Sequence, residues 1–117
     1  MLGRFSAWRS GLLSFGVMAS SALASVACMS ALPVPTPGQL AAARATEPEL
    51  SLEDLQRGRE TYARRCGNCH TLRSPRDRSA EAWPLEVQRM QSQHHVRLTP
   101  DEQRDILRYL GAASRDL

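Results

Sequence analysis

The chain has 117 residues, room for one small domain, and its formal charge of +3 comes from arginine alone, since lysine is absent. Without Arg4 and Arg9, which belong to a leader-like stretch, 13 arginines face 12 acids, about +1. That balance, with no basic run interleaved with aromatics, gives no support to a nucleic-acid-binding role.

Arg4 and Arg9 precede an uncharged apolar stretch from Gly11 to Ala27, with small residues at Ala22, Ala24, Ser25 and Ala27. A basic start, an apolar centre and a small-residue end form a secretory signal. At roughly 17 residues the stretch also lies at the short limit for a membrane span. Residues 1–27 are therefore expected to be a signal peptide or an N-terminal membrane anchor. Cys28 follows Ser25-Val26-Ala27, which resembles a lipoprotein cleavage box except that Ser25 stands where leucine is usual. An unpaired thiol is a hazard in an exported protein, so acylation of Cys28 is a second route to a membrane tether. Each reading sends the chain to the periplasm.

Residues 28–49 read as a Pro/Ala-rich linker. Pro33, Pro35, Pro37 and Gly38 favour an extended polyproline-like tether, and Ala41 to Ala45 offer at most one helical turn with no apolar stripe. The domain proper is expected over 50–117. Ser51 is a helix N-cap with Glu53 and Asp54 in the first turn, and Leu55, Gly58 and Tyr62 fall on one face of a helix running to Cys66. A second helix begins near Ser79 and carries Trp83, Val87, Met90 and His94 on one face, with Pro84 tolerable only in its first turn. Thr99-Pro100-Asp101-Glu102 opens a third, with apolar Ile106, Leu107, Tyr109 and Leu110 and an end near Gly111. No segment alternates like a strand, so the fold class is all-α.

Between the first two helices stands Cys66-Gly67-Asn68-Cys69-His70. Two cysteines two residues apart, followed at once by histidine, form the attachment pattern for a c-type haem. Each thiol can add to one vinyl group, and His70 can then offer Nε2 to the iron. A single such motif limits the chain to one covalent haem, held by Cys66 and Cys69. A segment of roughly 68 residues is short for an independent core, which a haem would supply. Without haem the segment is expected to be mostly unfolded.

Gly58 to Tyr62 leading into Cys66-x-x-Cys69-His70, then Trp83…Val87…Met90, then Glu102…Ile106…Tyr109-Leu110, resembles a small monohaem class I cytochrome c. The similarity is to the compact branch with a W-x3-V-x2-M helix and covers most of residues 52 to 111. It implies a compact three-helix cytochrome c domain whose first and last helices cross, with Gly58 allowing close approach and Tyr109 packing on it. It also implies Met90 as distal iron ligand, with His94 or His95 as alternatives and an open position as a third. Pro75 is either the carbonyl that holds the Nδ1–H of His70 or an ordinary loop proline.

The leading expectation is a one-electron carrier, not an enzyme, with no small-molecule substrate. Its partners would be redox proteins such as a dehydrogenase, reductase or oxidase. Arg64, Arg65, Arg73, Arg76 and Arg78 around the motif either steer an acidic partner or form a solvated surface. The alternative is a haem-based sensor or peroxidase-like protein with an open or displaceable distal site, where His94 and His95 would serve as acid–base groups. Structural zinc on Cys66, Cys69 and the histidines is a third reading, weakened because His94 and His95 are adjacent.

Overall fold

The computed structural model describes residues 32–115, so the expectations for residues 1–27 and Cys28 lie outside the described residues. The described chain is all-helical: α1 (Pro37–Ala43), α2 (Leu52–Cys66), a 3₁₀ turn (Pro75–Asp77), α3 (Trp83–Gln93) and α4 (Pro100–Ala113). The starts of α1, α2 and α4 follow from local chemistry. Thr36, Ser51 and Thr99 each accept the N3 backbone N–H, while Gln39, Asp54 and Glu102 reach back to the cap residue's own N–H. Those reciprocal bonds satisfy donors that a helix start leaves open. Pro100 adds a preset φ at the first position of α4.

Two boundaries differ from the sequence reading. α3 starts at Trp83, with Ser79 to Ala82 in a turn, because the ring of Pro84 collides with any helical turn before it. α4 runs through Gly111 to Ala113; its Cβ-free backbone costs stability there without ending the helix.

α2 and α4 form the main packing pair, crossing at Gly58. A Cβ at Gly58 would overlap the Asp105 carbonyl oxygen and lie 2.8 Å from the Cβ of Tyr109, so only glycine admits this approach. Around the crossing, Tyr62, Trp83, Val87, Ile106, Tyr109, Leu110 and Ala113 bury one another. At roughly 25 cal/mol per Å² of apolar surface, each large side chain there stabilises the fold by about 1.5–3 kcal/mol.

From Leu32 onward the supposed linker is part of the domain. Leu32 is buried among Tyr62, Tyr109 and Leu110, and Leu40 in α1 packs with Leu50, Leu55 and Ala112. The Leu32 carbonyl accepts from Nε and Nη2 of the buried Arg59 at 3.2 and 3.0 Å. Pro33 offers its carbonyl to the Tyr109 hydroxyl at 2.9 Å, and Gln39 donates from Nε2 to the Arg115 carbonyl at 3.1 Å. Residues 33–36 form neither helix nor strand, and with Leu32 they make a strap whose carbonyls satisfy buried donors rather than a free tether.

Candidate functional site

The C-terminal end of α2, the loop after it, α3 and the approach to α4 enclose a cavity of about 680 Å³. That volume lies within the range of about 300–1,000 Å³ typical of small-molecule and cofactor sites. Its wall includes both motif cysteines and His70, and also Met90 and His94. Four elements thus bring one cluster of iron- and carbon-binding groups to a single space.

Cys66 closes α2, and the cap residue Gly67 donates its N–H to Ala63 at 3.1 Å. The chain then turns, and Cys69 and His70 stand exposed beside the half-buried Cys66. Burial foremost, and then the nearby Cys69, push the Cys66 thiol up to about 11, so it stays protonated at neutral pH. Both thiols are free rather than joined in a disulfide. Nδ1 of His70 lies 2.8 Å from the Thr71 carbonyl oxygen. A carbonyl can only accept, so Nδ1 carries the proton, and in that tautomer of the neutral ring Nε2 is the nitrogen with a lone pair for a metal.

Pro75 therefore does not hold His70. Its carbonyl accepts the indole N–H of Trp83 at 2.9 Å, because the 3₁₀ turn buries Pro75 against that side chain. Trp83 also meets the Tyr62 ring edge-on, with centroids 6.3 Å apart at 72°. The Tyr62 hydroxyl donates to the Arg73 carbonyl at 3.0 Å and ties the loop after the motif to α2. Burial raises this phenol far above its ordinary range, so it remains a donor.

Met90 sits half-buried in the last turn of α3, and its carbonyl accepts from the N–H of both His94 and Val96, at 3.1 and 3.2 Å. His94 caps that helix one turn beyond Met90 and shares the cavity wall. His95 does not line the cavity. It takes φ 57°, the left-handed conformation that ends many helices and usually falls to glycine or asparagine. The three histidines expected near iron thus divide: His70 and His94 at the cavity, His95 at a helix stop.

Several wall residues had no functional reading in the sequence. Leu72, Val96 and Leu98 supply apolar surface from the segments between helices, and isolated apolar residues there were the available signal. Arg65 is bound by Glu102, from Nε at 2.8 Å and Nη2 at 3.0 Å, which joins the end of α2 to the start of α4. Among the described residues, no group of three or more His, Cys, Asp or Glu side chains is arranged to hold a metal ion, which removes the zinc reading's support there.

An apolar cavity edged by two free thiols and a histidine with an open Nε2 suits a haem, whose bulk fills the space and whose iron takes nitrogen or sulfur donors. Fold and site together make an all-α domain whose cavity suits a haem. Residues 56–116, more than half of the chain, match the family described as quinohemoprotein amine dehydrogenase A, alpha subunit, haem binding, and the chain belongs to that family. No curated protein and no solved structure gives a match.

Proposed function

We propose that this protein is a one-electron carrier built on one c-type haem, held by thioether bonds to Cys66 and Cys69, with His70 as proximal and Met90 as distal iron ligand. The observation that carries the reading is the shared cavity: both thiols, His70 and Met90 line one space of about 680 Å³. The haem would supply the ferrous–ferric couple. The chain's residues do the rest: the Thr71 carbonyl keeps the proton on Nδ1, and the two N–H groups on the Met90 carbonyl fix the helix end that presents the thioether. Trp83, Val87 and Leu98 keep water from the iron's surroundings, which favours a raised potential.

The carrier would work in an exported, extracytoplasmic chain, consistent with the leader-like Gly11 to Ala27 and with Cys28 as a tether. The family description names a dehydrogenase subunit, which supports a dehydrogenase among its redox partners. With both axial positions filled the domain would turn over no substrate. Acid–acetone extraction of protein made with a haem maturation system, followed by mass spectrometry, tests the core of this proposal. The polypeptide should retain the mass of one haem, and loss of the pigment into the acetone would refute covalent attachment.

A further inference from the structure

Arg65, Arg73 and Arg89 line the cavity. Two of them are committed to acids: Arg65 to Glu102, and Arg89 to Glu86 one turn back. Arg73 makes no ion pair among the described residues. It influences Glu86 only at a distance, as a minor contributor to a lowered carboxyl that owes more to Arg89. Yet its place is fixed. The Arg73 carbonyl accepts from the Tyr62 hydroxyl at 3.0 Å, and Tyr62 is 5% exposed, with ring centroids 6.3 Å from both Trp83 and Tyr109. A forked guanidinium in a cavity wall, anchored through its backbone and paired with no carboxylate among the described residues, suits a ligand carboxylate.

We infer that Arg73 binds a propionate of the haem and that Tyr62 positions it by holding the Arg73 carbonyl. The inference rests on the haem reading of the cavity. A propionate set against apolar walls is costly unless a cation pairs with it. The same cation offsets negative charge near the iron and so favours the ferrous over the ferric state. Removing it lowers the reduction potential.

Direct electrochemistry on the purified holoprotein measures this. Arg73→Gln should lower the potential, and Arg73→Lys, which keeps the charge but loses the fork, should lower it less. Arg76→Gln removes one positive charge three residues on and outside the cavity wall, so its shift should be smaller than that of Arg73→Gln. Tyr62→Phe should lower the potential part of the way, with the haem spectrum unchanged. Equal shifts for Arg73→Gln and Arg76→Gln would make Arg73 a general surface charge and overturn the inference. A Tyr62→Phe potential equal to wild type would remove Tyr62's positioning role. Protein without a haem absorption spectrum would fail the underlying reading instead, and that result is visible before any potential is measured.

Discussion

Replacing Gly58 by alanine tests the helix crossing on which the site is built. In an open helix this change stabilises by about 1 kcal/mol, because glycine is the poorer helix former. Here the added methyl would overlap the Asp105 carbonyl oxygen and stand 2.8 Å from the Tyr109 Cβ and 2.9 Å from the Asp105 carbonyl carbon. None of these atoms is the end of a flexible side chain, so α2 and α4 themselves must part. A gap of roughly 0.5–1 Å forfeits about a quarter to a half of the dispersion attraction across it. Leu55, Tyr62, Ile106 and Tyr109 are buried around this crossing and would all feel that loss. Overpacking costs about 1–3 kcal/mol, and a clash with backbone atoms puts this case at the upper end, about 2–3 kcal/mol, which leaves a net loss of about 1–2 kcal/mol after the helix-propensity gain. For a domain this small, that is a fall in Tm of about 5–15 °C. Thermal unfolding of the holoprotein, followed by circular dichroism, reads it directly. Gly111→Ala is the companion: nothing lies within 4 Å of a Cβ there, so it should gain about 0.5–1 kcal/mol. A Tm for Gly58→Ala at or above wild type would refute the close crossing.

With Met90 as the proposed distal ligand, the oxidised protein should show a far-red charge-transfer band, and Met90→His should abolish it and lower the potential, since imidazole favours ferric iron more than thioether does. Survival of the band in Met90→Ala, or its loss in His94→Ala alone, would transfer the distal assignment to His94. A chain beginning at Leu50 should lose at least about 3 kcal/mol, because the burial of Leu32 and Leu40 goes and Arg59 and Tyr109 are left without the strap carbonyls. Urea unfolding matched to that of the longer domain would show the strap to be dispensable. The Asp54 carboxyl is lowered from 3.8 to about 2, chiefly by the Ser51 hydroxyl and then by Arg57. Its stabilising contribution is complete above pH about 4 and disappears as pH falls through about 2. Ser51→Ala should flatten the loss of stability over that interval in urea titrations, and an unchanged slope would count against the bond.

The sequence made the helices legible where local chemistry dictates them. Ser51 and Thr99 announce helix starts, the 3.6-residue spacing of Leu55, Gly58 and Tyr62 marks a buried face, and Cys66 to His70 marks the site. Gly58 opposite Tyr109 was readable only through the resemblance, because nothing local tells a crossing glycine from a tolerated one. The strap was not legible. Leu32 and Leu40 are isolated apolar residues among prolines and alanines, and they gain meaning only from surfaces that α2 and α4 build once folded. Pro75 shows the same limit: the sequence left it either as the carbonyl for His70 or as an ordinary loop proline, and the tertiary placement of Trp83 gave that carbonyl a donor that nothing local announces.

The strap also bears on the order of events in folding. The Pro33–Tyr109 and Gln39–Arg115 hydrogen bonds each join residues 76 positions apart, so the strap is seated against a helix synthesised well after it. Contacts of such sequence separation form late, once their loop-closure entropy can be met by a finished partner surface. Cys66, Cys69 and His70 lie between these ends and emerge while α4, which the strap needs as its seat, is still incomplete. The chain therefore offers its two thiols in an unclosed state during synthesis, and closure over the α2–α4 crossing waits for the C-terminal helix.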